Sequence, residues 1–164
     1  MAYKYKILFL VAPAILILDQ LTKYFILQYV PIGDALPVIS GYFDIVHIRN
    51  TGAAFGMLAN LDSVARIPFF YGVSGIAICV LVYAFLHLEP ENHYYPWPLS
   101  LITGGILGNL IDRFRFGNVV DFLSVHIQES YFGSVKLEWP AFNVADSVIT
   151  ISMILLFAHI LKKR

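Results

Sequence analysis

The stretch Ile67–Leu88, IPFFYGVSGIAICVLVYAFLHL, runs for 22 residues without a formally charged side chain. A helix needs about 20 mostly apolar residues to cross the hydrocarbon core of a bilayer. This segment is long enough and bare enough to do so. Three other stretches share its character. Tyr5–Val30 is an apolar run interrupted by Asp19 and Lys23, and a shorter run from Trp97 stops at Asp112-Arg113. The last, Phe142–Leu161, contains Asp146 and is followed by Lys162-Lys163-Arg164. The expected architecture is an all-α membrane protein with four transmembrane helices, at about 5–30, 67–88, 97–113 and 142–161, in a single domain covering residues 1–164.

Composition supports that class. Hydrophobic residues make up 59% of the chain, charged residues only 13%, and mean hydropathy is +0.72. Soluble domains run nearer half apolar and a quarter charged. Net charge is zero and no basic run occurs, which argues against a nucleic-acid partner. The single cysteine, Cys79, lies mid-span in apolar company, where it forms no internal disulfide and its thiol stays protonated and inert. The five histidines are scattered, without a His-Glu-x-x-His pattern, and no Gly-x-Ser-x-Gly elbow is present. Zinc-peptidase and serine-hydrolase schemes therefore lack their residues. Lys4 and Lys6 precede the first apolar run as in a signal peptide. That run has no small-x-small exit and continues into Asp19, Gln20 and Lys23, so it is expected to be a retained span.

Two connections are long. Pro31 to about Arg66 includes a strand-like stretch, Tyr42–Arg49, and Phe114 to Ala141 includes another, Val119–Ile127. The third connection, Glu89–Pro96, is short and polar. Basic residues are dense in the two tails and diluted in the long loops, so both termini are expected in the cytoplasm. Up-down-up-down threading then puts both long loops on the outer face. Asp19, Lys23, Asp112, Arg113 and Asp146 all converge there.

An ionisable group within a span costs roughly 2.5–3.5 kcal/mol on insertion scales and normally faces the protein interior. Asp19 and Lys23 are spaced i, i+4 with the acid first, the favoured order for a local ion pair. A pair that merely offsets its own insertion cost explains them equally well. Asp121 lies just past the third span and Asp146 at the start of the fourth, and the loop between them begins and ends at one face. Two close carboxylates cannot both ionise cheaply, so one keeps a proton while the other acts as base. That arrangement suits peptide hydrolysis. The plainer alternatives are an N-terminal helix role for Asp146, behind an Asn143 cap, and an ordinary loop acid for Asp121. In the third span, Gly104 and Gly108 make a small-x-x-x-small face for close helix approach. Asn109 and Arg113, again i, i+4, point together toward the outer site, while Asp112 is expected to anchor the helix end. From these residues alone, a small polytopic channel or transporter and a nonenzymatic assembly scaffold stay open beside an enzyme.

Four strings narrow the choice: LDQLTK at 18–23, RNTGAAFG at 49–56, GNLIDR at 108–113 with VVDF at 119–122, and FNVADS at 142–147. Together and in this order they resemble the lipoprotein signal peptidase (signal peptidase II) family of aspartyl endopeptidases. The resemblance runs from about Leu16 to the fourth helix. It implies Asp121 and Asp146 as catalytic residues and Asp19, Lys23, Asn50, Gly52, Asn109, Arg113 and Asn143 as substrate-binding, site-lining ones. It also implies a small extracytoplasmic β-rich cradle with a short amphipathic helix, and no metal or cofactor. The activity implied is removal of the signal peptide from diacylglyceryl-modified prolipoproteins, just before the lipidated cysteine, in the bacterial cytoplasmic (inner) membrane. Globomycin is the implied inhibitor, membrane lipids and lipidated precursor the implied partners, and nothing requires more than a monomer. Aromatic residues, 15% of the chain, would anchor it at the membrane interface.

Overall fold

The computed structural model describes residues 2–52, 63–127 and 137–162. Four long helices, α1 (Tyr3–Tyr29), α2 (Ser63–His87), α3 (Pro96–Phe116) and α4 (Val144–Lys162), are joined to a small sheet. Its strands are β1 (Ala35–Ile39), β2 (Phe43–Asn50), β3 (Val119–Ile127) and the two-residue β4 (Leu137–Glu138), in spatial order β1-β2-β3-β4 and antiparallel throughout. Among the described residues, three stretches, within α1, α2 and α4, are long and apolar enough to cross a membrane. The amphipathic helix expected in the first long loop falls on residues outside those described.

The helices invert the distribution seen in water. Phe9 and Leu10 on α1, Ile76 and Leu86 on α2, and Ile154 and Phe157 on α4 are exposed, whereas Asp19, Lys23, Ser100 and Asp112 are buried. Hydrocarbon solvates the first set without penalty, and the second must find partners inside the protein.

Contacts at the helix ends fix the threading. Lys4, at the start of α1, donates to the carbonyls of Phe85 and Leu88 at the end of α2, both at 2.6 Å. Trp97, at the start of α3, donates to the Tyr3 hydroxyl at 3.0 Å. Tyr94, just ahead of α3, donates to the Leu155 carbonyl of α4 at 2.8 Å. Successive helices therefore alternate in direction, and the sheet, with the described parts of both long connections, gathers at one end.

Helix α3 differs from its sequence reading at its far end. Asp112-Arg113 does not stop it; the helix runs on to Phe116 and ends at Gly117. Asp112 is buried against Lys23 at 3.0 Å, so its charge is matched inside the protein and gives no reason to unwind. Gly117 terminates the helix because φ of 71° suits glycine. At the other end, Pro96 occupies the first turn, where its missing N–H costs nothing. The glycines of α3 set the packing. A Cβ on Gly104 would sit 2.7 Å from the Ala12 carbonyl of α1, and one on Gly105 would sit 2.8 Å from the Ala145 carbonyl of α4. Thus α3 is wedged between α1 and α4 with almost no side chain intervening, by Gly105 as well as the expected Gly104 and Gly108.

β2 and β3 fall where alternation predicts, within a residue. β1 is new, because Pro37 argues against a strand. Its position at the sheet edge accommodates that proline, since an edge strand can leave one N–H side unpaired. Between Ile45 and Ile48 the β2–β3 register slips by one residue, a bulge that re-aims the end of β2. Val120 and Phe122 of β3 pack with Ile26 of α1 and with Val30, the residue just past its end, fastening the sheet to the helix bundle.

Candidate active site

The site is assembled where α3, β3 and α4 meet. After β4 the chain is laid along β3: the Phe142 carbonyl accepts the N–H groups of Phe122 and Leu123, at 3.0 and 2.8 Å, and Phe142 N–H returns to the Leu123 carbonyl at 3.0 Å. That pairing brings the start of α4 beside Asp121. α4 then opens with a reciprocal cap. Asn143 Oδ1 accepts the Asp146 N–H at 2.9 Å, and Asp146 Oδ2 accepts the Asn143 N–H at 3.3 Å. This is the capping-box arrangement, in which each side chain satisfies a backbone donor left free at a helix start.

Asn143 does more than cap. Its Nδ2 donates to Asp121 Oδ1 at 2.8 Å, to Asn109 Oδ1 at 3.1 Å and to the Val120 carbonyl at 3.3 Å. One fully buried amide therefore holds Asp121 by its nitrogen and the Asp146 backbone by its oxygen. The outer oxygen of Asp121 accepts Asn50 Nδ2 at 2.9 Å. Asn50 is presented from β2, diagonally across the ladder, and its own Oδ1 is fixed by the Gly52 N–H at 2.9 Å. Asp146 Oδ1 accepts Asn109 Nδ2 at 2.8 Å. Both carboxylates are held by amides, which orient without neutralising them.

A cavity of about 640 Å³ opens on this group, and Asp121, Asp146, Asn50, Gly52, Asn109 and Arg113 are on its wall. The Arg113 guanidinium lies 4.7 Å from the Phe70 ring of α2, and its backbone carbonyl accepts the Tyr71 hydroxyl at 3.1 Å. α2, bare of charge along its span, supports the site's cation with aromatic surface. The lining also has apolar members, among them Trp139, Pro140, Ile149 and Ile151. Burial, and then the neighbouring Asp146 charge, push the Asp121 carboxyl up from 3.8 to about 7. Its amide donors and Lys23 pull the other way.

Asp19, Lys23 and Asn143 are absent from the cavity wall. They lie directly behind it, each no more than 1% exposed. Sequence reasoning gave too small a part to Gln20 and Asp112. Gln20 Nε2 donates to Asp19 Oδ2 and Asp112 Oδ1, at 3.2 and 3.0 Å, and Asp112 Oδ2 also accepts the Val120 N–H at 3.1 Å. The signal was present: both are polar residues inside spans, where a partner is obligatory.

Known proteins resemble this chain along nearly its whole length. The family model described as Signal peptidase (SPase) II matches residues 11–162. A lipoprotein signal peptidase of Syntrophotalea carbinolica is 43% identical over 150 residues, covering 92% of this chain and 88% of that protein. One from Geobacter sulfurreducens is 42% identical over 159 residues, covering 97% and 94%. A bacterial membrane enzyme solved by the in meso method at 2.3 Å resolution superposes with a TM-score of 0.83 at 36% identity, covering 98% of this chain and 91% of that one. Three helices able to cross a bilayer, in a chain so similar to a membrane enzyme, make this an integral membrane protein. It belongs to the signal peptidase II family.

Proposed function

We propose that Asp121 and Asp146 are the acid pair with which this signal peptidase cuts the signal peptide from diacylglyceryl-modified prolipoproteins, just before the lipidated cysteine. The observation that carries the reading is the convergence of two carboxylates, from β3 and from α4, on one cavity and on one residue, Asn143, whose side-chain amide donates to Asp121 and whose backbone N–H donates to Asp146. Relatives named lipoprotein signal peptidase, at 40–43% identity, support the substrate class.

The chemistry follows from a pair that carries one proton. The protonated carboxyl donates to the scissile carbonyl oxygen while its ionised partner takes a proton from water, and the hydroxyl adds to the carbonyl carbon. The tetrahedral adduct collapses as a proton passes to the leaving amine, restoring the singly protonated pair. Arg113 supplies fixed positive charge at the cavity wall, where it can hold substrate carbonyls. A lipid-bearing substrate stays in the bilayer and enters between helices, its acyl chains against the apolar lining near Ile149 and Ile151. The 21-residue α3, about 31 Å long at 1.5 Å per residue, serves as the fourth span. The basic tails favour cytoplasmic termini, which would put the sheet and acid pair toward the outer face of the bacterial inner membrane.

The test is incubation of the purified protein with a diacylglyceryl-modified precursor, with product mass giving the bond cut. Cleavage immediately before the modified cysteine, blocked by globomycin, is expected. Ion or solute flux in liposomes without cleavage would overturn the reading. The same assay run against pH gives a second expectation. Asp121 holds its proton below about 7, and above that both carboxylates carry charge, so kcat/KM falls as pH rises through this region. That limb belongs to the pair jointly. A profile that stays flat to pH 9 is incompatible with a shared proton.

A further inference from the structure

We propose that Asp19, Lys23 and Asp112 form a buried clamp that sets the separation of Asp121 and Asp146, with Lys23 as its central positioning residue. The inference rests on the acid-pair reading above.

The two acids sit on different elements, and each is preceded by a residue whose backbone N–H is held by a buried carboxylate. Ala145, just before Asp146, donates to Asp19 Oδ1 at 3.0 Å. Val120, just before Asp121, donates to Asp112 Oδ2 at 3.1 Å. Lys23 Nζ joins the two tethers, 2.9 Å from Asp19 Oδ2 and 3.0 Å from Asp112 Oδ2. Its third bond, 2.9 Å to Asn109 Oδ1, fixes which way that amide faces. Asn109 Nδ2 is thereby left to donate to Asp146 at 2.8 Å. Gln20 bridges the same two carboxylates. The ammonium has three hydrogens, and all three are committed to groups that locate the acids.

The clamp is out of the substrate's reach, since Asp19, Lys23 and Asp112 are 0%, 1% and 1% exposed. Gly108 makes room for it: a Cβ there would collide with the Asp19 carboxylate. A plainer account is that the three charges only neutralise one another inside the membrane. Buried ion networks of that kind often tolerate apolar replacement, so stability alone does not separate the accounts. Turnover does. A displacement of about 1 Å at a reacting group can cost a hundredfold in rate.

Lys23→Met is expected to lower kcat for the lipidated precursor by about 10- to 100-fold. KM should stay within about twofold, because ground-state contacts are untouched. Lys23→Met combined with Asp112→Asn removes one positive and one negative charge, restoring the net charge around the acid pair. If the clamp acts by position, the double variant stays slow. Recovery of kcat in the double variant would show that Lys23 acts through its field alone, and a rise in KM without loss of kcat would place it against the substrate; either result overturns the proposal. Should Lys23→Met not accumulate in folded form, Asp112→Asn carries the test. It keeps an acceptor for Val120 but loses the ion pair, and an undiminished kcat there rejects the clamp. Full activity in Asp121→Asn would instead sink the acid pair itself, so the two failures are distinguishable.

Discussion

Asp121→Asn and Asp146→Asn are each expected to reduce cleavage of lipidated precursor by about 10⁴-fold, the upper end of what a positioned acid–base group contributes. Membrane insertion and thermal stability should survive. An amide is close to isosteric with a carboxylate and keeps one oxygen, which accepts from either Asn143 or Asn50 in Asp121→Asn and from either Asn109 or the Asn143 N–H in Asp146→Asn. It cannot take a proton from water, and it cannot hand one to a leaving amine. The stability expectation has a definite sign. Asp121 is driven to hold its proton by burial and by the Asp146 charge, so removing either acid relieves a repulsion. Melting temperature in detergent should be unchanged or slightly raised, the usual direction when a strained functional group is neutralised. A variant that loses activity and stability together would point to a structural acid. One that keeps full activity would remove that residue from the mechanism.

The second large effect is expected at Asn143, where capping and site geometry share one side chain. Asn143→Ala removes the cap of α4, worth about 1 kcal/mol. It also leaves Asp121 Oδ1 without its buried amide donor, at about 1–3 kcal/mol, while Asn109 Oδ1 keeps its bond from Lys23. A lower melting temperature and a loss of about 10²- to 10³-fold in kcat should appear together, as for a lost orienting donor in a preorganised site. Asn143→Asp separates the two roles. It keeps the oxygen that accepts the Asp146 N–H at 2.9 Å but loses the nitrogen that donates to Asp121 at 2.8 Å, and it adds a third acid beside the pair. Most of the stability should return while activity stays low. Restored activity in Asn143→Asp would mean that the cap alone matters.

The three bridging residues, Asn50, Asn109 and Asn143, belong to β2, α3 and the start of α4. Each contributes an amide, which can donate to a carboxylate and accept from a cation without adding charge. Had lysines or arginines done this work, both carboxylates would be held ionised and the shared proton lost. Among the described residues neither formal cation hydrogen-bonds Asp121 or Asp146 directly. Lys23 reaches them through Asn109, Asp19 and Asp112, and Arg113 stands on the cavity wall over Phe70.

Much of this protein was legible in its residues. Apolar runs gave four helices to within a few residues, three of which are, among the described residues, long and apolar enough to cross a bilayer, because a bilayer imposes a length and forbids unpaired charge. Asp19 with Lys23, and Asn143 with Asp146, were readable as local pairs, since helical spacing alone brings each together. β1 was hidden by Pro37, whose edge position no local pattern announces, and the end of α3 was masked by Asp112-Arg113, which looks like a boundary until a partner is supplied. That partner, Lys23, is 89 residues earlier in the chain, on another helix. The links from Asp19 to Ala145 and from Asp112 to Val120 are likewise tertiary, and with them the placing of Asp19 and Lys23 behind the cavity wall. Periodicity dictates which face a charge occupies; only packing, here the close approach allowed by Gly104, Gly105 and Gly108, decides what that charge meets.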